Sequence, residues 1–227
     1  MSSCKPYGDP AKAEILVIGH DPRLQRSKTE AQYVFFMDYL ERPRPSGIAE
    51  KTKYDFADSV YSYIKDLTGN KPPLSLKNIY FTNLCNTFLD RPNNKGVILI
   101  PNDLADEGIR EIEHTLDDGH FKVIVPMALQ VFYHLVRTEF AKNGLVNNLG
   151  AFLAQSHPLY DEAKRGLYKA AVDRSFLLVC GLTYYHKKTP VVPILFVNQG
   201  RMIKKDSSFY PLMQNAVVNI QKALRSR

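Results

Sequence analysis

The apolar pattern of the chain opens with four residues in a row, Ile15-Leu16-Val17-Ile18, closed by Gly19. Three of the four are β-branched. An unbroken apolar run of this kind reads as a strand buried on both faces, as in parallel sheets. A second run, Ile79-Tyr80-Phe81-Thr82, ends at Asn83, and Val123-Ile124-Val125 forms a third. Val191 to Val197 reads as another strand despite Pro193. Phe176-Leu177-Leu178-Val179-Cys180 fits a strand or the end of a helix, because periodicity does not separate the two over so short a run.

Between these runs the apolar spacing lengthens to that of a helix. Thr29 to Leu40 carries Ala31, Val34, Phe35, Tyr39 and Leu40 at helical spacing, with Thr29 as the cap. Pro43 and Pro45 exclude helix from the connection Glu41 to Gly47. Tyr54 to Leu67 resumes the pattern through Phe56, Val60, Tyr61 and Ile64, and Gly69-Asn70 stops it. Asp90 to Pro101 reads as loop. Asn102 or Asp103 then caps a helix through Leu104, Ile109, Ile112 and Leu116 to Gly119. Ala128 to Ala141 places Leu129, Phe132, Tyr133 and Val136 on one face. Phe209 to Leu224 closes the chain as a helix with Leu212, Ala216, Val217, Ile220 and Leu224 inward. Residues 1–12 are polar and read as a loose lead-in; 143–173 reads as an excursion with one short helix from Glu162 to Ala171.

Buried strands alternating with helices predict an α/β fold, a mostly parallel sheet covered on both faces with right-handed crossovers. At 227 residues the chain is expected to form a single domain, 1–227, with a substantial core. Hydrophobic residues make up 44% and charged residues 23%, the proportions of an ordinary globular protein. No apolar run approaches the roughly 20 residues of a membrane-spanning helix. The start, Met1-Ser2-Ser3-Cys4-Lys5, lacks the apolar core of an export signal, so a cytoplasmic protein with no membrane partner is expected. Cys4, Cys85 and Cys180 are widely spaced and form no C-x-x-C pair, which argues against a disulfide framework or a cysteine-rich zinc site. The net charge of +7 favours an anionic partner, nucleic acid first.

Candidate chemistry gathers where strands end. Gly19-His20-Asp21-Pro22 puts a carboxylate on a proline-stiffened turn at the carboxyl end of the first strand, the edge where open α/β sheets bind ligands. Asp21 equally suits the cap of a turn or of the next helix. Asn83 ends the second strand and would sit beside Asp21, as an amide with both donor and acceptor or as a plain strand-end cap.

Gly19-His20-Asp21-Pro22 resembles the water-activating motif of the uracil-DNA glycosylase superfamily, which reads Gly-Gln-Asp-Pro-Tyr-His in its best-known members. Ile79 to Asn83 resembles that superfamily's strand ending in its base-reading Asn. Arg91-Pro92-Asn93-Asn94 looks like the Arg-Pro-Pro-Asn-Asn stretch of its thermophilic-type branch, and Lys122 to Ala128 like the segment before its middle helix. The similarity runs in order over residues 13–224. It implies a three-layer α/β/α sandwich around a mostly parallel four-stranded sheet. It also implies base-excision chemistry on DNA, single- or double-stranded, by a monomer that needs no cofactor or metal.

On that resemblance Asp21 positions water, and Asn83, with Gly19 and His20 beside it, reads the base. Phe35 or Phe36 stacks on the base, although both also suit the core. The family's His-Pro-Ser motif is replaced by Phe196-Val197-Asn198-Gln199-Gly200-Arg201-Met202. Asn198 would stand in for the His as donor to the departing base, and Met202 or Arg201 would be the wedge into the duplex. Lys204 and Lys205 suit phosphates, or a solvated loop. Arg23 stands where the classical branch has a thymine-excluding Tyr, and Leu24 where it has a His. The cysteines of the thermophilic-type iron–sulfur cluster are missing, so no such cluster is expected. His157-Pro158, within the excursion, reads as a turn or as the His-Pro-Ser motif displaced.

Three functions stay open. The first is a monofunctional glycosylase for uracil or a related damaged base. The second is a catalytically altered member that binds nucleic acid or a nucleotide. The third is an unrelated nucleotide-binding α/β protein, weakened because no G-x-G-x-x-G or P-loop occurs.

Overall fold

The structure is a computed structural model that describes residues 3–20, 31–69, 74–88, 99–142, 147–157, 174–196, 200 and 203–226. The chain falls into two compact units, Met1–Phe121 and Lys122–Arg227. The strands are mostly parallel and alternate with helices, as the apolar pattern predicts for an α/β protein.

In the first unit β1 (Ile15–Gly19) and β2 (Ile79–Asn83) run parallel, from Ile15 opposite Ile79 to Gly19 opposite Asn83. All five residues of β1 are buried, the reason it carries no polar alternation. Helix α1 (Ile48–Thr68) buries Ala57, Val60, Ile64 and Leu67 along one stripe at helical spacing. It starts six residues before the Tyr54 read from the pattern (54 − 48) and ends where expected. Gly69, at φ 73°, takes the left-handed turn that stops it. Helix α2 (Asn102–Asp118) follows Pro101 and closes at Gly119.

Two expectations fail in this unit. The lead-in is tied down rather than loose: Cys4 N–H donates to Asn86 O at 2.8 Å, and Tyr7 and Phe81 exchange backbone hydrogen bonds of 2.9 and 2.8 Å. Helical spacing from Ala31 also does not give an α-helix. Lys5 N–H donates to Gln32 O and Val34 N–H to Lys5 O, both at 2.9 Å, which holds Tyr33 extended. Only a 3-10 segment, Val34–Glu41, follows, and it is kinked at Phe35 and Phe36. Thr29 lies outside the described residues, as does the Asp90–Arg91–Asn94 stretch.

In the second unit β3 (Val123–Pro126) leads into α3 (Leu129–Arg137), which stops at Thr138, short of the Ala141 expected. Helix α4 (Leu149–Ser156) occupies the excursion before the segment where a helix is predicted; residues 158–173 lie outside the described ones. Phe176 to Cys180 is the end of a helix rather than a strand: Arg174 to Phe176 are helical and Leu177 to Cys180 continue as turns, with Leu177 N–H donating to Arg174 O. The strand read at Val191 to Val197 begins earlier. β4 (Tyr184–His186) and β5 (Thr189–Val191) form an antiparallel hairpin, and β5 lies parallel to β3. Beyond Val191 the backbone stays paired through Val192 N–H to Ile124 O and Ile194 N–H to Pro126 O. The described strands therefore number five rather than four, the addition being the antiparallel β4. Helix α5 (Tyr210–Arg225) buries Met213, Ala216, Ile220 and Ala223, a face rotated slightly from the one predicted. No helix among the described residues is long and apolar enough to cross a membrane.

Candidate functional site

The parallel register brings the carboxyl ends of β1 and β2 side by side. The pairing continues beyond the strands, with Leu84 N–H donating to Gly19 O at 2.8 Å and Cys85 N–H to His20 O at 3.1 Å. Asn83 is 2% exposed. Its side-chain oxygen Oδ1 is buried and accepts no hydrogen bond among the described residues. An unsatisfied buried acceptor costs about 1–3 kcal/mol.

Gly19 shows what lies beside that oxygen. A Cβ at Gly19 would fall on the Phe35 ring and on Asn83 Oδ1, with Phe35 Cε1 3.0 Å away. Glycine is therefore required at Gly19, and the aromatic ring and the amide share the space above it. Phe35 is brought there by an unusual backbone. Phe35 and Phe36 both take left-handed angles, φ 55° and 58°, a conformation that costs residues with side chains of order 1–3 kcal/mol each.

Packing holds this kink. The Phe35 ring meets Phe81 edge-on at 6.1 Å and Phe56 at 6.4 Å. Phe36 turns away and packs edge-on against Phe56 and Tyr39. Lys53 closes the cluster from α1. It is 5% exposed, lies 5.9 Å from the Phe36 ring centre and 5.7 Å from that of Tyr39, and donates to Tyr39 Oη at 3.4 Å. Lys53 lies in no motif, and its one signal in the sequence is its place four residues before Ala57 on the buried stripe of α1.

Burial governs the ionisation of Asp38, Tyr7, Cys4 and, in the second unit, Cys180. Burial pushes the Asp38 carboxyl above its ordinary value, against the pull of the Arg42 guanidinium 2.6 Å away. Asp38 Oδ1 has no hydrogen-bond partner among the described residues. Burial first, then a hydrogen bond with Glu41, raises Tyr7. The Cys4 thiol is pushed up to about 12 by burial and by Asp38, and Cys180 to about 12 by burial. Neither thiol is a nucleophile near neutral pH.

The structure thus brings Gly19, Phe35 and Asn83 together, with His20, 9% exposed, next in the chain. Phe36 belongs to the packing beneath. Lys204 and Lys205 are exposed in the second unit. Asp21, Arg23, Asn198, Arg201 and Met202 lie outside the described residues. His157, in the second unit, has Nδ1 3.2 Å from Tyr133 Oη. Among the described residues no group of three or more His, Cys, Asp or Glu side chains is placed to hold a metal ion.

No family model and no curated protein sequence matches this chain.

Proposed function

We propose that the chain is a monofunctional DNA glycosylase that hydrolyses the N-glycosidic bond of uracil or a related damaged base, on a three-layer α/β/α frame of the uracil-DNA glycosylase kind. The observation that carries the reading is the buried Asn83 Oδ1, which has no donor among the described residues, beside Gly19 and under the Phe35 ring. A flipped uracil presents an N–H next to a carbonyl. Asn83 Oδ1 would accept from that N–H while its Nδ2 donates to the carbonyl. The Phe35 ring supplies a stacking face, worth about 1–3 kcal/mol per base.

In the reaction the bond from C1′ to the base nitrogen breaks, and the base departs with the electron pair. Water adds its oxygen to C1′, and its proton finishes on the base. In this reading Asp21 orients the water and stabilises the positive charge on the sugar. Asn198 donates a hydrogen bond to the developing anion, a weaker aid than an imidazole. A second reading, binding without hydrolysis, is favoured by the Phe35 ring lying directly over Gly19, where it fills part of the space a base would take.

Labelled oligonucleotides carrying uracil, hypoxanthine, xanthine or a thymine mismatch test both readings, in single and double strands. Alkali-sensitive product from wild type, and none from Asp21→Ala, is the expected result, with loss also in Asn83→Ala. No product from any base, with DNA binding intact, would overturn the first reading and leave the second.

A further inference from the structure

The β4–β5 hairpin of the second unit combines a rigid root with a polar, aromatic outer face. Tyr184 is 1% exposed and His186 7%, whereas Tyr185 between them is 38% exposed. The buried pair is anchored. Tyr184 Oη donates to Asn148 Oδ1 at 2.9 Å, and the His186 ring stacks 3.9 Å from Phe140, with Nδ1 3.0 Å from the Phe140 carbonyl. Tyr185 is paired with Pro190 on one side and with Lys142 on the other. Residues opposite each other in a sheet share a face, so lysine, tyrosine and proline form one row.

The tip adds charge. Lys187 and Lys188 are both exposed and make up the two-residue connection between His186 and Thr189, which are paired. Lys187 takes a left-handed φ of 52°. Gly, Asn and Asp are the residues such turns favour, because they reach that region without steric cost. Here a lysine stands where the backbone disfavours it, and it brings a charge to the tip. Glu139 reaches Lys142 at 3.9 Å with both side chains exposed, a weak pair.

We infer that this hairpin docks single-stranded nucleic acid, with a base stacked on Tyr185 and backbone phosphates on Lys187, Lys188 and Lys142. A single strand fits because its base faces are free, whereas a duplex offers this ring only its phosphates. The inference does not depend on base release, and it is tested with undamaged DNA.

The measurement is fluorescence anisotropy of a labelled oligothymidylate over a range of salt, with wild type, Lys187→Gly, Lys188→Gln and Tyr185→Ser. Wild type is expected to bind with an affinity that falls as salt rises. Lys187→Gly and Lys188→Gln should each lower the slope of log affinity against log salt by about 0.7. Tyr185→Ser should weaken binding about tenfold or more with the slope unchanged. Lys187→Gly should at the same time raise the thermal midpoint, because glycine relieves the turn; a purely structural lysine would not move binding and stability in opposite directions. Absence of oligonucleotide binding by wild type, unchanged slopes in both lysine variants, or full affinity in Tyr185→Ser would each overturn the proposal. So would equal competition by vesicles of anionic phospholipid.

Discussion

At the carboxyl edge of β1 and β2, two phenylalanines take left-handed backbone and an amide oxygen is buried without a donor among the described residues. At the tip of the β4–β5 hairpin one lysine takes the same backbone region, in solvent. The two places break the same local rule for different reasons. At the first, packing from three elements enforces the conformation: β2 through Phe81, α1 through Phe56 and Lys53, and the lead-in through Lys5. At the second, the two-residue connection of a pair of short strands carries it. A change at the β1–β2 edge must therefore disturb several elements, whereas a change at the hairpin stays local.

The sharpest way to break the comparison is Gly19→Ala. Its added methyl collides with both the Phe35 ring and the Asn83 amide, so stability should fall by about 3 kcal/mol and, under the proposed function, base release should vanish. A shift in the denaturation midpoint no larger than that of an ordinary surface change would mean the Phe35 segment yields easily. Next in size is Asn83→Leu, which keeps the branched shape and the number of heavy atoms and removes the unsatisfied acceptor. It should be about 1 kcal/mol more stable than wild type while losing base release, a divergence readable by paired denaturation and cleavage assays. Loss of stability instead would show that the amide is a structural cap.

The smallest effect is expected at Asp38. Its folded carboxyl is raised by burial above the ordinary 3.8, so the folded state holds the proton more tightly than the unfolded chain. Its ionisation therefore destabilises the fold as pH rises above that value. The stability of Asp38→Asn relative to wild type should grow from pH 4 towards neutrality and disappear below the ordinary value. A difference that runs the other way would mean the Arg42 pairing outweighs burial.

The apolar pattern sufficed for the strands that hold the first site. Ile15 to Ile18 folds as the buried strand its β-branched run predicts, and Ile79 to Asn83 appears with the bounds read from the chain. It failed wherever backbone pairing from a distant segment overrode local spacing. Ala31 to Leu40 has helical spacing, but the hydrogen bonds with Lys5 hold Tyr33 extended and leave Phe35 and Phe36 left-handed. No local window contains Lys5 and Tyr33 together. The β4–β5 hairpin was missed for another reason. Its turn holds Lys187-Lys188 rather than the Gly or Asn that announces a two-residue hairpin, so its usual punctuation is absent. Of the candidate site, Gly19 and Asn83 were legible as strand ends, and Phe35 as one of two aromatics. Lys53 was hidden because a lysine in a helix is ordinarily solvated.

Residues 3–7 run along β2, with bridges from Ser3 to Thr87 and Tyr7 to Phe81, on backbone groups that β1 does not use. An uncovered strand rim of that composition, isoleucine, tyrosine and phenylalanine in sequence, is a template on which another chain can add itself. The segment of residues 3–7 pairs with that rim at Phe81. Its release, by proteolysis or by a bulky fusion, would turn the strand that carries Asn83 into a seed for aggregation.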